Sequence, residues 1–120
     1  NMDLERFAQE CLRPARTGAP IRYRAFDCRQ DAFRPVRTLP ACPLTIVEGS
    51  YSQHPLLADA YGLRIFLTCG EAVQLRRLSQ REGAAIQGFR QRWIPMEERY
   101  FHACRIREGC ALTIDTGRLF

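Results

Sequence analysis

The stretch at 63–82 reads LRIFLTCGEAVQLRRLSQRE, and its two halves have different patterns. Residues 63–68 are a short, mostly apolar run, which is typical of a buried strand. Residues 71–81 have a helical pattern, and a second helical pattern at about 89–107 leads to another apolar run at 111–115. Strands that alternate with helices pair in parallel, so this stretch predicts an α/β fold with a parallel sheet.

Three further elements are predicted upstream of this stretch. A helix begins after Asp3, and we expect Pro14 to end it. Residues 21–39 have the pattern of a β-hairpin. The run Leu-Thr-Ile-Val at 44–47 is followed at once by a glutamate, which predicts a core strand near 44–48 that carries Glu48 to its carboxyl end. Ligands of α/β folds bind at that end of the sheet.

The composition is that of one folded domain or of a fragment of one. The 120 residues are 46% hydrophobic and 26% charged, which fits a single hydrophobic core. All 18 basic residues are arginines, against 13 acidic residues. A phosphate-binding loop of the form G-x-x-x-x-G-K-[ST] needs a lysine to reach the nucleotide phosphates, and this sequence contains none.

The cysteines and the hydropathy indicate a reduced, soluble environment. The six cysteines form no C-x-x-C pair and the two histidines have no zinc-ligand spacing, so we expect free thiols and no metal cluster. No apolar run approaches the roughly 20 residues that span a bilayer. We therefore expect a cytoplasmic protein that has no membrane partner.

Three features are candidates for chemistry, and each has a structural alternative. Glu48 offers a carboxylate for magnesium or its bound waters, or caps the helix that follows. Arg77 and Arg81 are four residues apart on one helix and either bind one anionic group or form a solvated face. The hairpin segment at 23–27 either lines a small-molecule pocket or covers the edge of the sheet.

In this order, the motifs resemble the uridine kinase family of P-loop nucleoside kinases. Residues 25–28, AFDC, are similar to the family's V-Y-D-F-like segment, and residues 46–49, IVEG, match its strand motif. The next strand, the arginine-rich lid helix, the proline in the long helix and the final polar turn have counterparts at 65–67, 74–81, 94–98 and 114–117. The resemblance covers nearly the whole chain.

The resemblance implies a P-loop kinase fold of the α/β class, with parallel strands, flanking helices, a β-hairpin and a lid helix in a lid region at 71–92. The implied activity is ATP-dependent phosphoryl transfer to a nucleoside or a similar small hydroxyl compound. Glu48 would hold Mg²⁺ directly or through water, and Arg77 and Arg81 would close over the transferring phosphate. The substrate-side hairpin would border the nucleoside through Tyr23, Phe26 and Asp27, and the weaker lid candidates are Arg76, Arg90 and Arg92.

The sequence departs from the family at several places. The family's pocket tyrosine is Phe26 here, and the histidine expected a few residues later corresponds to Asp31, so the identity of the base is open. We expect a carboxy-terminal portion of such a kinase, inactive alone, because the phosphate loop and its strand are missing. In the family that strand lies between 44–47 and 63–68, so its removal exposes two apolar edges. A missing amino-terminal portion or a homo-oligomer would cover them.

Two alternative functions belong to other classes. A non-catalytic nucleic-acid-binding module would use the arginine excess. However, the arginines are dispersed over every element, and no helix-turn-helix or aromatic RNA-binding signature is present. A regulatory module that pairs with a complete kinase is the other alternative.

Overall fold

The computed structural model describes residues 2–119, which combine helices with short strands. They divide into two compact units: residues 2–52 with Leu56–Ala60, and Gln53–Pro55 with 61–119. The composition led us to expect one domain or a fragment of one, and this stays a prediction. The buried apolar side chains described are Leu12, Ile21 and Leu57 in the first unit and Ile106 in the second.

The helical part of the first unit consists of α1 (Leu4–Phe7), a π-turn (Ala8–Leu12) and α2 (Arg13–Thr17). Asp3 caps α1 by accepting the Arg6 N–H at 3.1 Å. Pro14 does not end the helix as predicted. The Arg13 N–H donates to Ala8 O, five residues back, in the π-turn. This wider turn accommodates Pro14, which has no N–H to donate. The helix therefore continues to Gly18, where a φ of 68° ends it.

The segment 21–39 forms a hairpin with two short ladders. β1 (Ile21–Tyr23) pairs antiparallel with β4 (Arg37–Leu39), and β2 (Phe26–Asp27) pairs antiparallel with β3 (Ala32–Phe33). The turn between β2 and β3 includes Asp31 at a φ of 50°. An aspartate tolerates this left-handed conformation better than most residues, which allows the chain to reverse there.

The core strand predicted near 44–48 is not formed. This segment has no regular secondary structure, and Leu44 and Ile46 are 74% and 81% exposed. No described strand pairs with it. An apolar, β-branched run becomes a strand only when neighbouring strands satisfy its backbone groups and cover its side chains, and here neither condition is met.

The second unit contains a strand, a helical region and a second strand. β5 (Ile65–Thr68) leads to α3 (Glu71–Glu82), and the chain continues through a 3₁₀-turn (Gly83–Ala85), α4 (Ile86–Gly88), a π-turn (Phe89–Trp93) and α5 (Ile94–Ala103) to β6 (Leu112–Asp115). Ile65 pairs with Leu112 and Thr68 with Asp115 in a parallel ladder. The predicted parallel pairing is therefore confirmed for two strands.

The parallel sheet is unusually small. β5 and β6 each pair only with the other among the described strands, and the Leu67 side chain is 59% exposed. Parallel sheets are normally buried on both faces and contain more strands. The carboxyl ends of both strands lie together, which places the turn after β6 beside the beginning of α3.

The adjacent residues Leu56 and Leu57 provide a test of the packing in the first unit. Leu57 is 2% exposed and Leu56 is 79% exposed. Leu57→Ala should lower the free energy of unfolding by about 2–5 kcal/mol, because it removes buried methyl groups and leaves a cavity. The control Leu56→Ala should change it by less than about 0.5 kcal/mol. Urea denaturation of both variants is the measurement, and equal losses would contradict this packing.

Candidate functional site

Glu48 lies in the first unit, at the start of a fixed turn. Ser52 is buried and donates both its backbone N–H, at 3.1 Å, and its hydroxyl, at 2.7 Å, to Gly49 O. Gly49 has a φ of 152°, which a residue with a Cβ rarely adopts. Glu48 is exposed and lines a groove of about 260 Å³ together with Met2 and Phe7.

The surroundings of Glu48 fit a magnesium ion only if most of its ligands come from elsewhere. Within residues 2–119, no three His, Cys, Asp or Glu side chains come together as a metal site. Magnesium commonly uses one or two carboxylates and keeps waters and substrate phosphates as its other ligands. The single exposed carboxylate of Glu48 is compatible with a site of that type. It does not suffice for a site in which the protein supplies all the ligands.

The hairpin residues have different roles. Asp27 accepts hydrogen bonds from Arg34 Nη2 at 2.7 Å and from the Arg29 N–H at 2.9 Å, so its carboxylate organises the turn. The hydrogen bond from Arg34, followed by the one from the Arg29 N–H, holds the pKa of Asp27 below its usual range. Phe26 is 48% exposed and meets Phe33 edge-on at 5.2 Å, which leaves part of its ring available for stacking. Tyr23 is half-buried in β1.

A charged cluster at the foot of the hairpin was not predicted. Arg6 donates to both carboxylate oxygens of Glu10 at 3.0 Å and to Arg24 O at 3.1 Å. Glu10 in turn accepts the Arg24 N–H at 3.3 Å, and both guanidinium groups lie over the Phe33 ring. The spacing of Arg6 and Glu10, four residues apart, was the available signal. The cluster joins the first helix to the hairpin.

The lid arginines lie in the second unit, and each has its own surroundings. Arg77 donates from Nη1 to Thr116 Oγ1 at 3.0 Å and from Nη2 to Thr116 O at 2.8 Å. Arg81 donates from Nε to the carboxylate of Glu82 at 2.6 Å, and Arg76 is exposed. Arg77 and Arg81 thus have different protein partners, and the shared anionic target expected for them stays a prediction.

The remaining lid candidates are Arg90 and Arg92. Both are exposed in the π-turn Phe89–Trp93, and Arg92 lies over the Trp93 ring at 5.5 Å. Sequence reasoning missed Thr116, whose only signal was a hydroxyl directly after the last apolar strand.

The predicted site residues are divided between the two units. Glu48 and the hairpin residues belong to the first unit, and the lid arginines belong to the second.

No protein-family model matches the chain, and no curated protein matches it significantly. Among the described helices, none combines the length and the apolar character needed to cross a membrane.

The Asp27–Arg34 pair predicts how the stability of the hairpin depends on pH. A carboxylate whose pKa is lowered in the folded state stabilises the fold above its unfolded pKa, near pH 4, and this contribution is lost as the pH falls further. Asp27→Asn should therefore lower the stability at pH 7 and flatten its decrease between about pH 4 and 2. Thermal unfolding over this range is the measurement. A decrease as steep in Asp27→Asn as in the wild type would contradict the role of this pair.

Proposed function

We propose that this chain is the carboxy-terminal portion of an ATP-dependent kinase that resembles the uridine kinases and phosphorylates a nucleoside or a similar small hydroxyl compound. One observation carries the proposal: the Arg77 guanidinium is bound at the carboxyl ends of two parallel strands. Ligands of α/β sheets bind at this edge. An arginine there matches the demand of phosphoryl transfer for positive charge near the transferring group.

The open strand edges support the proposed P-loop fold. In that fold an additional strand, which carries the phosphate loop, lies between the 44–47 segment and β5. Residues 44–47 have no described strand partner and β5 is paired on one edge only among the described strands, as a missing central strand would produce. On this proposal, the segment is a strand only when that neighbour is present.

The residues would have distinct roles in a complete kinase. Bound MgATP supplies the phosphoryl group and a metal charge. Glu48 would hold the metal ion or one of its waters, while Arg77 and Arg81 would offset the charge that grows on the phosphate oxygens. Phe26 and Tyr23 would border the nucleoside, and Asp27 would act by fixing the hairpin turn. Arg76, Arg90 and Arg92 are further candidates for the closed lid.

The arginine contacts weigh against the nucleic-acid alternative. Arg6 is paired with Glu10, Arg34 with Asp27, and Arg77 with Thr116. A nucleic-acid surface needs clustered cations that can reach phosphates. These three arginines have protein partners within the fold, so they are poor candidates for such a surface. We also propose a cytoplasmic location, which rests on the same resemblance to the uridine kinases as the proposed activity.

The chain by itself should bind MgATP weakly and in a salt-dependent manner. Tight triphosphate binding uses a cradle of backbone amides and a lysine, and this chain has no lysine. Attraction by exposed arginines is screened at physiological ionic strength, where the Debye length is about 8 Å. Isothermal titration at low and at physiological salt is the measurement. A micromolar, salt-insensitive site would contradict the assignment.

The same assignment predicts the behaviour of Arg77 in a longer protein that carries a G-x-x-x-x-G-K-[ST] segment upstream. There, Arg77→Ala should lower kcat by about 100-fold or more while changing the affinity for ATP much less, because the charge it meets develops in the transition state. Steady-state kinetics with a panel of nucleosides and direct ATP titration provide the comparison. The exposed control Arg107→Ala should leave both unchanged, and equal losses in kcat and ATP affinity for Arg77→Ala would refute the role.

A further inference from the structure

Thr116 links three elements of the second unit through hydrogen bonds. Its N–H and its hydroxyl both donate to Thr68 O, at 2.7 Å and 3.1 Å, and so tie the end of β6 to the end of β5. Its hydroxyl oxygen and its carbonyl oxygen accept the two bonds from Arg77 on α3. The Leu119 N–H also donates to Thr116 O, at 3.2 Å, which closes the turn.

The chemistry of a hydroxyl makes this arrangement directional. A threonine hydroxyl has one proton, and here that proton points to Thr68 O. The lone pairs of Oγ1 are therefore left to accept from Arg77. Because the carbonyl of the same residue accepts from the other terminal nitrogen, Arg77 is held at two points, and the plane of its guanidinium is defined.

Arg77 differs in this respect from its neighbours on the helix. Arg76 and Arg81 are exposed, and the hydrogen bond of Arg81 is to the side chain of the adjacent Glu82. A long side chain that is free in solution loses rotamer entropy when it binds a ligand. Arg77 has already lost much of that freedom through its two hydrogen bonds to Thr116.

We propose that Thr116 is a positioning residue that orients Arg77 toward a phosphate oxyanion at the carboxyl ends of β5 and β6. The inference rests on the proposed function, because it takes the phosphate-binding role of Arg77 from there. Thr116 itself need not touch the anion: it acts through the arginine. The nearby Asp115 carboxylate accepts the Gly117 N–H at 2.8 Å and serves the turn.

The test uses the 120-residue chain and sodium tripolyphosphate as the probe at low salt. Titration by calorimetry gives the affinity, and the Nε–H resonance of Arg77 in an NMR spectrum shows whether that side chain responds. Thr116→Val removes the hydroxyl at nearly constant volume and should weaken tripolyphosphate binding about 5-fold, the usual value of one lost hydrogen bond. Thr116→Ser keeps the hydroxyl and should bind like the wild type.

Two controls separate positioning from general damage. Thr113→Val makes the same chemical change at an exposed position on β6 and should leave the affinity unchanged. Arg77→Ala should weaken binding at least as much as Thr116→Val, and the double variant should be no weaker than Arg77→Ala alone, because Thr116 acts only through Arg77. If Thr116→Val fails to fold, Arg77→Lys keeps the charge, loses the two-point attachment and should show the same weakening.

The outcomes distinguish this inference from the proposed function. Wild-type affinity in folded Thr116→Val, together with weaker binding in Arg77→Ala, would overturn the positioning role and leave Arg77 as a phosphate ligand. Wild-type affinity in both variants would overturn the role of Arg77 and the positioning role with it. Additive losses in the double variant would also overturn it, because they would show that Thr116 acts independently.

Discussion

The parallel pairing of β5 with β6 is the interaction on which the second unit depends. Two parallel strands are a weak structure alone, because each leaves one edge unpaired and the faces need cover. Here the ladder is closed at its carboxyl end by Thr116, which bonds to Thr68, and by Arg77, which attaches α3 to the same point. One arginine thus both stabilises the strand–helix–strand arrangement and brings positive charge to the edge where α/β proteins bind ligands.

The first unit depends on a charged junction as well as on its few buried side chains. Arg6 and Glu10 on the helical segment meet the backbone of Arg24, and both Arg6 and Arg24 cover Phe33. These contacts hold a hairpin whose ladders are only two and three residues long. The position of the hairpin, and with it that of Phe26 and Tyr23, therefore relies on ionic and cation–π contacts that lie near solvent, and such contacts are individually weak.

The outcomes for particular residues show where sequence reasoning failed. The run at 44–47 has the composition of a core strand, yet it is exposed, because composition describes a preference and pairing requires a neighbour. Pro14 is a residue type that normally ends a helix, yet the helix continues past it because a π-turn precedes it. Arg77 and Arg81 have the spacing of a pair and bond to different local acceptors, so their joint binding of an anion stays a prediction.

The sequence alone determined the alternation of strand, helix and strand at 63–115, the parallel pairing that follows from it, and the lack of any lysine for a phosphate loop. These properties follow from local periodicity and composition. Only the tertiary structure decided which arginine reaches the strand ends, that Thr116 holds it there, and that the chain divides into two units. Hydrogen bonds between residues 39 positions apart depend on the packing of whole elements, and no local pattern encodes them.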